Sequence, residues 1–115
     1  MTKLLFVVAV LAVSACATVQ IPPDQLESNE ASIRGATELG ALNVPDARLH
    51  LELAKDETAA AKKLAADGDD RAVLVLARAE SDAELALGLA REVSVHNDAL
   101  KAAEDLKAVQ ARGTP

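Results

Sequence analysis

The sequence predicts an all-α fold. The expected form is an antiparallel three-helix bundle with an Ala-rich helical hairpin and a long, partly protruding C-terminal helix. Three observations carry this. Residues 16–115 contain 22 Ala and 23 Leu, Val and Ile, with no aromatic residue. That composition favours helix and lacks the aromatics that enrich strands. Small residues recur at alternating steps of four and three along two long segments, which places them on one helix face. Pro45 and Gly68 punctuate the chain where helices start and stop.

Composition also excludes functions. The 115 residues hold 12 Lys and Arg against 18 Asp and Glu, a formal charge of −6. An acidic chain lacks the basic footprint that nucleic acid requires. Phe6 is the only aromatic residue, so no platform for stacking bases or sugars can form. Cys16 is the only cysteine and has no disulfide partner within the chain.

Residues 1–15 read as a cleaved export signal. Lys3 is followed by ten apolar residues, 4–13, and then by small residues. The apolar run is shorter than the roughly 20 residues of a membrane-spanning helix. Val13-Ser14-Ala15-Cys16 resembles the lipobox of bacterial lipoproteins. The resemblance implies cleavage between Ala15 and Cys16 and lipidation of Cys16. It places the chain in the cell envelope, anchored to a membrane through its N-terminal lipid. Ala17, rather than Asp, by resemblance to proteobacterial sorting implies the outer membrane, facing the periplasm. Several acyl chains also make physical sense, because one alone binds membranes only marginally. An ordinary secretory signal, cut after Ala15 or Ala17, is the alternative. Residues 16–23 then form a lipidated tether ending in Pro22-Pro23.

The helical domain is expected over residues 24–111, with 112–115 as a tail. Helix one should run from 24 to 39. Its core face is Leu26, Ile33 and Ala36, with Leu39 or Gly40 at its end and Asn29 as a polar interruption. Glu30 and Arg34 are spaced as an i,i+4 pair. Residues 40–44 break the helix, and Pro45 suits the first position of the next. Helix two should span 45–67 with the stripe Ala47, Leu51, Ala54, Thr58, Ala61 and Ala65. Gly68 provides a left-handed stop, and Asp69 can cap the next helix.

Helix three should begin at Asp70. Its seam is Ala72, Leu76, Ala79, Ala83, Ala86, Ala90 and Val93. Two facing alanine seams allow helix axes to approach to roughly 8 Å. The segment is apolar nearly all round, so cover on more than one side is expected, with helix one as the second cover. Past Val93 a different stripe appears: Val95, Ala99, Ala102, Leu106 and Val109. Two continuations fit. Either the helix runs straight to 111 and offers this stripe to a partner, or residues 93–97 break it and a fourth helix folds back. The straight helix is favoured.

A lipobox, an Ala-rich domain with Gly40-Ala41 before Pro45, a Gly68-Asp69 turn, and alanines at 72, 79, 83, 86 and 90 together resemble a known group. It is an uncharacterised bacterial lipoprotein family whose helical domain of unknown function also precedes OmpA-like domains. The resemblance covers residues 24–92. It implies no catalytic residues. This chain has Asn43-Val44 where the family favours Ala, and it lacks an OmpA-like domain, so peptidoglycan binding is not implied.

Other chemistry is sparse. Asp67, Asp69 and Asp70 around Gly68 lack the later ligands of a Ca²⁺ loop and read as a turn. His50 and His96 lie far apart without the companions of a zinc site, and His50 reads as a surface residue. Glu80, Asp82 and Glu84 read as a solvated face, with Arg78 and Asp82 at i,i+4. No serine sits in a nucleophile elbow. The expected function is therefore non-enzymatic, with no metal or cofactor. It is a structural or adaptor module in the envelope that meets a protein partner or a second copy. Val95, Ala99, Ala102, Leu106 and Val109 form the candidate partner face. The alternative is a periplasmic module handling lipid or cell-wall fragments.

Overall fold

The computed structural model describes residues 18–113. Ala15, Cys16 and the expected signal segment lie outside the described residues. Among the described residues the fold is all-helical, and three helices pack together: α1 (Pro23–Glu38), α2 (Pro45–Ala66) and α3 (Arg71–Gly113), with a 3-10 turn at Ala41–Asn43. Helix α1 starts one residue before the expected position. Helix α3 starts at Arg71, one residue later than expected, and continues to Gly113.

Local chemistry sets the boundaries. Both α1 and α2 have proline in the first turn, where a missing N–H is no loss. Gly40 and Gly68 have φ of 79° and 74°, a backbone region that glycine enters without a Cβ penalty. At the end of α2 the Asp69 N–H donates to the Leu64 carbonyl and the Gly68 N–H to the Ala65 carbonyl. This is a Schellman closure. Asp69 then caps α3, its Oδ1 accepting from the Arg71 N–H at 2.9 Å.

Helix α3 is central: it packs against both α2 and α1, whereas α1 and α2 meet less extensively. The core is mainly alanine. All six expected stripe residues of α2, Ala47, Leu51, Ala54, Thr58, Ala61 and Ala65, are buried. So are Ala72, Leu76, Ala79, Ala83, Ala86 and Ala90 of α3. A cluster of Ala36, Ala41, Ala47, Leu51, Ala86 and Ala90 closes the end of the packed region nearest the 3-10 turn, with Ile33, Val44, Leu87 and Leu89 against it. Gly35 lets α1 approach there, since a Cβ in its place would lie 3.1 Å from Leu87 Cδ1.

Polar side chains index the helices against one another. Asn29 Nδ2 donates to Thr58 Oγ1 at 2.6 Å, and Thr58 donates to the Ala54 carbonyl. Lys62 reaches Glu30 at 2.6 Å, and Gln25 donates to Glu80. His50 pairs with Asp82 and Arg78 with Glu57. Partner numbers on α3 fall as those on α2 rise.

Several expectations change. Asn29 is fully buried and hydrogen-bonded across the bundle, so it is part of the core and not an interruption. Val93 is 39% exposed and leaves the seam, because α2 begins at Pro45 and no other described helix reaches it. Leu39 is exposed in the turn after α1. Ala41 is buried instead. His50 is half-buried and paired rather than solvated. Glu80 and Asp82 bind other helices, and Arg78 bonds Glu57 in place of Asp82. Helix α3 does have the expected cover on more than one side, from α2 and α1, although Leu74 stays 67% exposed. The fold-back alternative is overturned, because α3 stays helical through residues 93–97.

Candidate functional site

The region that the packing leaves over is the second half of α3. Ala90 is its last buried residue, and of residues 91–113 only Ser94 is even half-buried. These 23 residues extend about 35 Å at 1.5 Å per residue. They remain helical on local terms. Five alanines supply propensity, and Lys101 and Asp105 stand one turn apart.

This segment carries the expected partner face. Val95 is 67%, Leu106 58% and Val109 64% exposed, and Ala99 and Ala102 between them are exposed as well. Their spacing of four, three, four and three keeps them on one line. Gly113 continues the same line. Isolated apolar residues on a surface are ordinary; here five stand in one line on an otherwise solvated helix. The chemistry available there is helix–helix packing, with Asp98, Asp105 and Arg112 along one flank and His96 and Ala103 along the other.

At the opposite end, the tether touches the bundle. The Val19 N–H donates to the Ala65 carbonyl at 3.1 Å, beside the Gly68 turn where α3 begins. Val19 is therefore held at the start of α3, and the apolar line lies at the far end of that helix. From sequence alone, residues 16–23 read as a tether ending in Pro22-Pro23. No periodicity signals a single backbone bond of this kind.

A second polar feature lies between α2 and α3. Glu57 bonds Arg78, and its side chain is 15% exposed. Its Oε2 has no hydrogen-bond partner. Burial pushes the Glu57 carboxyl above its ordinary value; Arg78 opposes this and the neighbouring Asp82 adds to it. At the turn, the Arg71 guanidinium and backbone N–H hold Asp69 down at about 2. Glu30 is lowered by its bond to Lys62. The turn carboxylates thus serve a cap and an ion pair.

Among the described residues, no cluster of His, Cys, Asp and Glu could hold a metal ion, and no cavity opens between the helices. No described helix is long and apolar enough to cross a membrane. Comparison with known proteins finds no family model, no curated protein and no solved structure that matches the chain.

Proposed function

We propose that this protein is a lipid-anchored, non-enzymatic module of the bacterial cell envelope, a helical spacer that presents a contact helix away from its anchor. In this reading Cys16 carries the lipid after cleavage behind Ala15. The bundle is an antiparallel Ala-rich hairpin of α2 and α3 with α1 laid against it. The partner face is Val95, Ala99, Ala102, Leu106 and Val109. Membership of the uncharacterised lipoprotein family with the Ala-rich helical domain belongs to the same proposal, as does an outer-membrane address facing the periplasm.

The observation that carries the reading is the exposed apolar line on a helix that outruns its bundle. A self-contained domain gains nothing in packing from these residues, whereas a contact helix needs them. Two further points support it. The reciprocal order of the α2–α3 pairs fits an antiparallel hairpin. The Val19–Ala65 bond holds Val19 at the start of α3, the end opposite the contact line, and the 43 residues of α3 span about 64 Å. The closely packed alanine seams leave little volume for a lipid or glycan chain, so the ligand-handling reading has no observation in its favour.

Two measurements test this. Intact mass of membrane-extracted protein should equal residues 16–115 plus acyl chains, and Cys16→Ser should abolish both the added mass and the membrane fractionation. A bare mass in the soluble fraction would overturn the anchor. Photo-cross-linkers placed at Ala99 and Ala102 in intact envelopes should give discrete protein adducts. Monomer alone from both positions would overturn the contact face.

A further inference from the structure

We infer that the contact line of α3 pairs with the same line of a second copy of this chain, antiparallel, about a twofold axis at Glu104. This deepens the contact-face reading and rests on it.

The first argument is side-chain size. In a parallel pair each residue meets its own copy. Ala99 would face Ala99 and Ala102 face Ala102, while Leu106 and Val109 would also face themselves. The alanine layers call for the close end of the helix separations and the leucine layer for the wide end, within the usual 8–10 Å. One straight pair cannot supply both over neighbouring turns. Antiparallel pairing about Glu104 removes the conflict. Ala102 then faces Leu106, Ala99 faces Val109, and Val95 faces Gly113. By symmetry each of these layers occurs twice. Every layer joins one small residue to one large one, so a single separation serves all six.

The second argument is charge. A twofold axis perpendicular to two helices keeps like flanks together, so the Asp98, Asp105 and Arg112 flank meets itself. Asp98 of one copy then lies opposite Arg112 of the other, twice. The two residues stand 14 positions apart, about 21 Å along one helix, so they cannot pair within a chain. Asp105 faces its own copy near the axis, with Lys101 one turn away to offset it. The other flank sets Ala103 against Ala103, small enough for close approach. In a parallel pair, opposite flanks would meet, placing Asp98 by Ala103 and Asp105 by Gln110, with no pairing of opposite charges.

The exposure of the line fits this occupant. All of Val95, Ala99, Ala102, Leu106 and Val109 are open to solvent in the single chain, and nothing in the bundle needs to move. The line is about 27 Å long, below the size of a standard stable interface. Association should therefore be weak in solution and stronger where an anchor confines the chains and raises their effective concentration. The pair would carry its two tether ends about 100 Å apart.

The test is a charge swap on the full chain in detergent, read by sedimentation from about 10 μM to about 1 mM, the range suited to so small an interface. Dimer should grow with concentration. Asp98→Arg alone and Arg112→Asp alone should each weaken dimerisation severalfold, and the two together should restore it. Circular dichroism should be unchanged throughout, since both sites are exposed on the projecting segment. Association driven by micelles or by the N-terminal segment would ignore the swap. As a geometric check, Ala103→Cys should form a disulfide dimer on mild oxidation, Val95→Cys should not, and the parent with Cys16 alone serves as control. Three results would overturn the inference: monomer throughout the range, no rescue in the double swap, or self-linking at Val95 in place of Ala103. Cross-links to a different protein at Ala99 and Ala102 with no self-pairing would retain the contact face and reject this occupant.

Discussion

Residues 71–90 of α3 carry six alanines and residues 91–113 carry five. The first half buries five of its alanines on one seam together with Leu76, and the second buries none. The comparison teaches that composition and periodicity make a helix and give it a face, but only a neighbour of sufficient length makes the face a core. Helix α2 begins at Pro45, and the cluster holding Ala86, Ala90, Ala41 and Ala47 closes the packed region. Beyond it no other described helix covers α3.

The largest expected effect sharpens this contrast. Leu76→Ala should cost about 2–5 kcal/mol, the range for emptying a buried leucine site. Leu106→Ala in dilute solution should stay within about 0.5 kcal/mol. Urea unfolding of both variants checks the pair, and equal losses would break the division of α3. Overpacking gives the next test. Ala83→Leu should destabilise by about 1–3 kcal/mol, because a close alanine seam has no room for three further carbons, while Ala102→Leu should be tolerated by the monomer.

Much of this division is legible in the sequence. The six-membered stripes of α2 and α3 follow from four-three spacing alone, and Gly68 followed by Asp69 announces the turn. The polar indexing is not legible, because it joins residues remote in sequence: Asn29 with Thr58, His50 with Asp82, and Gln25 with Glu80. A helical wheel sets Asn29 and Thr58 within a core face and the others at its edge, but cannot say which neighbour lies there. Val93 illustrates the same limit. It continues the seam in spacing and leaves it in space, because helix α2 ends the core before that turn. The line at Val95, Ala99, Ala102, Leu106 and Val109 is legible as a line, yet whether it is covered depends on α3 remaining straight.

Smaller effects refine the picture. Asp69→Ala removes the cap of α3 and should lower its stability. Arg71 depresses the Asp69 carboxyl in the folded chain. The resulting stabilisation is therefore complete above the unfolded carboxylate range and is lost as pH falls towards about 2. Acid titration of helicity should show a smaller low-pH loss in Asp69→Ala than in the parent. Gly88 has nothing within 4 Å of a Cβ built on it. Gly88→Ala should therefore stabilise the chain by about 0.5–1 kcal/mol through helix propensity, as thermal unfolding would reveal. Glu57 gives the smallest effect and the opposite pH sign. Its folded value is raised, so the folded chain binds that proton more tightly, and stability falls as pH rises through the interval between unfolded and folded values. Glu57→Gln should flatten that part of the stability–pH curve while preserving a hydrogen bond to Arg78.

The division of α3 is tested most directly by native-state hydrogen exchange along that one helix at low protein concentration. Amides of residues 76–90 should exchange only through global unfolding, and those of residues 95–109 should exchange orders of magnitude faster through local opening. Raising the concentration should slow exchange in the second group alone, as copies pair. Uniform protection across both groups in dilute solution would contradict the division, because it would mean that residues 95–109 are packed within the single chain.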